Sequence, residues 1–203
     1  MNRWRDFIQR FNVVKGRLDI TPAHIYLTLK LAALKEGVSR YIMITNLGIS
    51  EAKAKTLQKK LKELNILKPL RGGHILTEYG NKLFNYLSRK LVEIGYIPTE
   101  DISRYCYGIL LKKYDRVPNA VLIRDMIIRF GGSAGLILYK MNSKIIFPES
   151  GESLSTYDDE LNGYLLEKGV EDGDLILIAG SSDEYLSKLA ALNTALSILE
   201  EIE

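Results

Sequence analysis

Six lysines lie close together between Lys53 and Lys68, and their chemistry is the electrostatic binding of phosphate. An arginine, Arg71, follows them beside a pair of glycines. A lysine ammonium group is a compact, mobile point charge, and a surface that gathers several of them attracts polyanions with an affinity that falls as salt rises. A charged run of this kind is also typical of the solvated face of a surface helix. The elements that position the lysines decide between these two interpretations.

Most of these lysines lie on a predicted helix, Ser50–Asn65, for which Ser50 is a suitable N-cap. At about 100° per residue, one side of this helix is an apolar seam. The seam consists of Ala54, Leu57, Leu61 and Leu64. The opposite side consists of Ala52, Lys55, Thr56, Lys59 and Glu63, with Lys53 and Lys60 beside it. The pattern therefore predicts a helix that buries its leucines and presents a mostly basic outer face.

Several predicted elements surround this helix. Two helices precede it, a short hairpin follows, and a long helix comes last. The predicted ranges are Thr21–Gly37 and Arg40–Gly48 for the first helices, Ile66–Leu70 and His74–Thr77 for the hairpin, and Glu78–Gly95 for the last helix. Only Gly48 and Ile49 separate the second and third helices, which indicates the tight turn of a helix-turn-helix. Arg71 and the two glycines after it form the hairpin turn.

The order of these elements and three motifs resemble the winged helix-turn-helix superfamily of transcription regulators. The motifs are "LGIS" at the turn, "LKELNIL" before the hairpin and "LTEYG" after it, and the resemblance covers residues 20–92. It implies that the third helix lies in the DNA major groove and that the hairpin is the wing. The implied DNA contacts are Lys53, Lys55, Thr56, Lys59 and Lys60 on the helix and Arg71 at the wing tip. Lys55 and Thr56 would contact bases, and the other side chains would position phosphate.

Net charge divides the chain into two parts. Residues 1–98 hold 18 Lys and Arg against 7 Asp and Glu, a net charge of +11. Residues 99–203 hold 10 Lys and Arg against 18 Asp and Glu, a net charge of −8. Gly and Pro near the changeover indicate a linker around residues 96–102. We therefore predict two domains, 1–97 and 103–203, with different partners.

Composition argues against several classes of protein. No apolar run is long enough to predict a membrane span, and the charged N-terminus is unlike a secretory signal. A single cysteine, Cys106, excludes an internal disulfide and any multi-cysteine metal site. We interpret His24 as a core or surface residue of the first predicted helix and not as a ligand. His74 either packs in the hairpin or contacts phosphate. We expect a cytoplasmic protein with no membrane partner, no metal and no cofactor.

The acidic part has the order strand, helix, strand, strand, helix, strand, helix. Its predicted elements are strand 104–114, helix 119–132, two strands within 134–148, a helix 155–170 capped by Ser155 or Thr156, strand 174–180, and a final helix from Ser181. This order predicts a small α/β sandwich with helices on at least one face of its sheet. The fold class of the whole chain is then α+β: an N-terminal winged helix-turn-helix domain plus a small C-terminal α/β sandwich domain.

Two features of the acidic part could hold a ligand. Ser181 and Ser182 join a buried strand to a helix N-terminus, where backbone N–H groups favour an anion, although an ordinary serine cap is the alternative. Arg124 could bind a carboxylate ligand or form an intramolecular ion pair. The pattern "RD…GGSAG…FP" resembles an uncharacterised archaeal family with a winged helix and a C-terminal α/β domain. That resemblance singles out Arg124, Asp125, Gly132 and Pro148 without assigning them any chemistry.

The functional expectation is a DNA-binding transcription regulator. Its C-terminal domain would sense a small-molecule effector or form oligomers, and a homodimer would gain specificity by pairing two half-sites on double-stranded DNA. The sequence contains no Walker, complete GxGxxG or GxSxG motif, so we expect no enzyme and no catalytic residues. The alternatives are a protein-interaction adaptor that uses the winged helix, or an enzyme with its site in the C-terminal domain.

Overall fold

Helices dominate the first part of the chain and an antiparallel sheet the second, which makes the protein a mixed α+β structure. A computed structural model describes residues 3–13, 20–34, 37–99, 101–114 and 116–202. The chain divides into two compact units: the first comprises Met1–Ser88 and Ser197–Glu203, and the second comprises Arg89–Leu196. The predicted boundary at 97–103 therefore falls inside the second unit.

The first unit contains the predicted order of helices and hairpin. Its elements are α1 (Arg3–Val13), α2 (Pro22–Leu34), α3 (Arg40–Leu47), α4 (Glu51–Glu63), β1 (Leu67–Leu70), β2 (Gly73–Leu76) and the start of α5 (Glu78–Lys90). The first predicted helix was to end at Gly37. Residues 35 and 36 lie outside the described residues, and Gly37 itself is not helical, with a φ of 143°.

Local capping explains where α3 and α4 begin and end. The Ser39 hydroxyl accepts the N–H of Ile42 at 3.2 Å, and the Ser50 hydroxyl accepts the N–H of Lys53 at 3.3 Å. Between the two helices, Gly48 has a φ of 57°, a left-handed conformation that ends α3 with little strain because glycine has no Cβ. This turn brings α4 directly after α3, as the sequence predicts.

Buried leucines hold α4 and α5 in the core of the first unit. Leu57 and Leu61 of α4 and Leu83 and Leu87 of α5 are at most 1% exposed. The hairpin pairs Leu67 with Leu76 and Leu70 with Gly73. A further bridge joins β2 to the segment before α3, where Val38 and His74 exchange backbone hydrogen bonds of 2.7 and 3.0 Å.

The second unit is built on a five-stranded sheet in the order β3-β4-β7-β5-β6, with every neighbouring pair antiparallel. Its strands are β3 (Leu91–Ile97), β4 (Tyr105–Leu111), β5 (Ala134–Met141), β6 (Lys144–Ile146) and β7 (Leu175–Ser181). Its helices are α6 (Ala120–Arg129), a 3-10 turn (Leu154–Thr156), α7 (Asp159–Glu167) and α8 (Glu184–Ile202), whose last residues belong to the first unit.

Helices cover both faces of this sheet. On one face, Leu161 and Leu165 of α7 pack with Leu138 and Ile176 from the sheet. On the other face, Ile127 of α6 packs against Gly135 of β5. A Cβ on Gly135 would lie only 2.8 Å from the Cδ1 atom of Ile127. Close packing of α6 on β5 therefore depends on a strand position without a side chain.

Two predicted elements of this region are wrong in their bounds. The last helix of the basic part was expected to run to Gly95, but α5 ends at Lys90 and the next seven residues form β3, which pairs with β4. The predicted cap at Ser155 or Thr156 is also wrong, because these residues lie in the 3-10 turn. Asp158 caps α7 instead, accepting the N–H of Leu161 at 2.8 Å.

Candidate functional site

Three lysines project from one face of α4. Lys55, Lys59 and Lys62 are exposed, and Thr56 and Lys53 are half-buried beside them. Lys59 lies 3.8 Å from Glu63, but its side chain is 74% exposed, so solvent weakens this pair. We call Lys55, Lys59 and Lys62 the basic face. It gathers positive charge at the surface, where an anion can approach without displacing protein.

Lys62 is the member of the basic face that the sequence interpretation left out. It lies seven residues after Lys55 and three after Lys59, which places all three on one side of a helix at about 100° per residue. The helical phase of the lysines could therefore have found it.

The placement of Lys60 beside the outer face is wrong. Lys60 is 8% exposed, and its ammonium nitrogen lies 4.9 Å from the centre of the Phe11 ring. Its aliphatic stem is buried and its charge faces the aromatic ring of α1, which is a stabilising arrangement within the unit. Lys60 is therefore a packing residue of the first unit.

The hydroxyl of Thr56 is already engaged. It donates to the backbone carbonyl of Ala52 at 3.0 Å, one turn earlier in α4. Its oxygen can still accept a hydrogen bond, but its proton is not free for a base acceptor. Any base contact by Thr56 would therefore be to a donor, such as an amino group of adenine or cytosine.

Positive charge extends from α4 to the hairpin. Burial lowers the pKa of His74, and the nearby charges of Lys62 and then Arg40 lower it further. Arg40 lies 3.4 Å from Glu51 at the start of α4, with both side chains more than half exposed. Because a histidine on β2 feels cations from α3 and α4, the base of the hairpin shares the positive potential of the basic face.

The hairpin tip carries Arg71, which is exposed as predicted. Gly72 follows Arg71 with a φ of 88°, a backbone conformation that favours glycine. A Cβ on Gly72 would meet nothing within 4 Å, so lack of space is not the reason for glycine here. Lys68 on β1 is also exposed.

Two of the three predicted ligand residues of the second unit, Arg124 and Ser181, have protein partners. Arg124 forms an ion pair with Glu149, which is the intramolecular alternative. Ser181 is 3% exposed and its hydroxyl accepts the N–H of Asp183 at 3.2 Å, while Asp183 caps α8 by accepting the N–H of Leu186 at 2.8 Å. Ser182 is exposed beside them. These contacts match an ordinary capped helix start.

The second unit also contains a cavity of about 410 Å³ between the segment after β3 and the start of α7. Its lining includes the carboxylates of Asp101, Asp158 and Glu160 and the rings of Tyr157 and Tyr164. Neither Arg124 nor the serines lie in that lining. A surface of carboxylates and tyrosine rings is better suited to a cation than to the anion predicted for Ser181 and Ser182.

The described residues include no candidate metal cluster and no candidate membrane span. Across these ranges, no group of three or more His, Cys, Asp and Glu side chains is placed to hold a metal ion. Likewise, no described helix is both long and apolar enough to span a bilayer.

The fold and the site together define an α+β chain with a basic helical unit and an antiparallel sheet unit. Residues 102–198 match the family described as Domain of unknown function (DUF4443). Over 91% of this chain and 95% of the other, the fold is similar to a hypothetical protein from the archaeon Pyrococcus horikoshii OT3, with a TM-score of 0.71 and 24% sequence identity. At this identity the likeness is one of fold. No curated protein matches the chain.

Proposed function

We propose that this protein is a DNA-binding transcription regulator whose first unit is a winged helix-turn-helix. In this proposal α4 enters the major groove and the β1–β2 hairpin is the wing. The observation that carries the proposal is the basic face. Its three exposed lysines lie on a helix that begins directly after the Gly48 turn and ends before the hairpin.

Contacts with phosphate dominate the proposed interface. Lysine is a point charge without the fork of an arginine, so Lys55, Lys59 and Lys62 would position the protein more than they would read bases. Arg71 at the wing tip is suited to a phosphate or to the minor groove. The hydroxyl of Thr56 already donates to Ala52, which also favours phosphate contacts over base contacts. We therefore expect strong salt dependence and modest sequence discrimination from a single copy.

The character of α4 favours a polyanion over a protein partner. Its described exposed positions are lysines, glutamates and Ala52, whereas a protein-docking helix presents an apolar stripe. The adaptor alternative is therefore supported less than DNA binding. A pocket lined by Arg124 and the serines at 181–182 would support the enzyme alternative, and the cavity described above has a different lining.

The proposal is tested by fluorescence anisotropy with genomic duplex fragments at several salt concentrations. Wild-type protein should bind at ~50 mM salt and lose affinity steeply as salt rises. The double variant Lys55→Ala/Lys59→Ala should bind all fragments more weakly, and its slope of log affinity against log salt should be shallower by ~2. Two lost phosphate contacts predict this change.

Matched variants control for charge in general. Lys144→Ala/Lys168→Ala removes two exposed charges from the second unit and should leave the slope unchanged. Lys60→Met removes a charge from α4 itself but fills the same space against Phe11, and it should also keep the wild-type slope. Absence of binding by the wild type at low salt, or an equal loss in the control variants, would contradict the proposal.

A further inference from the structure

The outer side of α6 is apolar although nothing in the described chain covers it. Val121, Leu122 and Ile128 are 55%, 59% and 51% exposed. Leu186 of α8 is 43% exposed, and its side chain lies 3.8 Å from the position that a Cβ on Gly131 would take, just beyond the end of α6. Scattered exposed leucines are ordinary, but a contiguous apolar patch on one helix is typical of an interaction site.

Two opposite charges lie within this patch. Asp125 and Arg129 are both exposed and one helical turn apart, with the acid on the N-terminal side. This spacing favours an ion pair within the helix, yet within the described part of the chain neither side chain has an ion-pair partner. The neighbouring Arg124, at the edge of the patch, is already paired with Glu149. The two unpaired charges are therefore available to a partner.

We propose that a second copy of this chain docks on the α6 face, defined as Val121, Leu122, Asp125, Ile128, Arg129 and Leu186. Two copies of α6 would pack antiparallel about a twofold axis. A twofold contact is self-complementary, so each charge must find its opposite on an identical surface. The α6 face meets this requirement because it carries one acid and one base of its own.

The antiparallel arrangement accounts for both kinds of residue. Asp125 of each copy meets Arg129 of the other, which forms two equivalent ion pairs. With this pairing the twofold axis passes at the level of residue 127, so the exposed Ile128 side chains of the two copies lie close to the axis. Val121 lies beyond the partner's last helical turn, on the side of its exposed Leu186. A parallel arrangement, with the twofold axis running along the helices, would place Asp125 against Asp125 of the other copy, and this like-charge contact is unfavourable.

Sedimentation equilibrium over a range of protein concentrations tests the dimer. The wild type should reach the mass of two chains. Ile128→Asp should raise the dimer Kd ~100-fold or more, because each dimer then loses two central apolar side chains and gains two buried carboxylates. Leu166→Asp on α7 is the matched control: the same type of change at a 43% exposed leucine outside the patch should leave the Kd unchanged.

Charge reversal tests the antiparallel pairing itself. Asp125→Arg and Arg129→Asp should each raise the dimer Kd ~10-fold or more, since each creates a surface of one sign. The double variant Asp125→Arg/Arg129→Asp should return the Kd to near the wild-type value, and an equimolar mixture of the two single variants should form a mixed dimer. Recovery of this kind requires direct pairing across the interface. Circular dichroism and thermal melting check that each variant is folded.

Three results would overturn the inference: a wild type that stays monomeric at ~100 μM, a Kd unaffected by Ile128→Asp, or charge variants that fail to restore each other. None of these measurements involves DNA. The dimer and the proposed DNA binding can therefore fail independently.

Discussion

Residues of one type have different roles in this protein, and their surroundings decide which. Lys55 and Lys60 are both on α4, but Lys55 faces solvent while Lys60 faces an aromatic ring of α1. Helical phase predicted the first correctly from the sequence. The second could not be predicted, because the position of Phe11 depends on how α1 packs, and that packing involves residues far apart in the chain.

His24 makes a residue-scale prediction about stability and pH. It is 6% exposed, and its Nδ1 atom lies 3.1 Å from the backbone N–H of Thr21, which must donate to it. Burial, followed by the charge of Lys53, lowers the pKa of His24 to about 4. As the pH falls below 6.5, His24 takes up a proton in the unfolded chain but not in the folded chain. The free energy of unfolding therefore decreases as the pH falls from 6.5 towards 4.

The expected loss over this interval is at most about 3 kcal/mol in the free energy of unfolding, and the loss levels off once the pH is well below 4. His24→Gln cannot titrate, so its unfolding free energy should depend less on pH between 6.5 and 4. Denaturant unfolding of both proteins at several pH values measures the difference. Parallel pH profiles for the two proteins would show that His24 does not carry this effect.

At the scale of elements, local signals predicted helix starts better than they predicted where α5 ends. Ser39, Ser50, Thr77 and Asn119 lie at predicted helix starts, and each hydroxyl or amide oxygen accepts a backbone N–H of the first turn. Caps are local, so a short sequence window contains the information. The segment Leu91–Ile97 continues the apolar period of α5 and still forms β3, because its hydrogen bonds come from a distant strand, β4.

The start of α5 makes an element-scale prediction. Gly80 lies against the backbone of Ile66, and a Cβ at this position would collide with the Ile66 carbonyl oxygen. That oxygen cannot move freely, since it accepts the N–H of Thr77 at 2.9 Å. Gly80→Ala should therefore lower the free energy of unfolding by ~2 kcal/mol or more, despite the better helix propensity of alanine.

Gly163 on α7 supplies the comparison. It is also a helical glycine, but a Cβ there would meet nothing within 4 Å. Gly163→Ala should be neutral or stabilising by up to about 1 kcal/mol, because only helix propensity changes. Denaturant unfolding of both variants measures the contrast. Equal effects at the two glycines would mean that the contact with Ile66 does not decide the cost.

For the whole molecule, the opposite net charges of the two parts limit where a polyanion could approach. Residues 1–98 carry +11 and residues 99–203 carry −8, so a polyanion is attracted to one part and repelled by the other. The division in charge was visible in the sequence. The apolar face of α6 was not, because Val121, Leu122 and Ile128 could equally have faced the sheet until the packing of Ile123 and Ile127 fixed the orientation of the helix.

The two proposals together predict how DNA length affects affinity. A dimer carries two basic faces, and a duplex long enough for both should bind more tightly than a short one, since the second contact forms at high effective concentration. Half-sites of such domains lie ~34 Å or a multiple apart, so a duplex of ~12 base pairs admits one unit and one of ~30 base pairs admits two. Wild-type protein should prefer the longer duplex ~10-fold or more per site, with a steeper salt slope.

The dimer-breaking variant Ile128→Asp should lose this preference while binding the short duplex as the wild type does. The added carboxylate also repels DNA, and Leu166→Asp controls for that effect because it adds the same charge without disturbing the α6 face. Anisotropy titrations of the three proteins on both duplexes give the ratio directly. A length preference that survives Ile128→Asp would mean that the two DNA contacts are not joined through α6. Its loss in that variant alone would tie the paired DNA contacts to the α6 dimer.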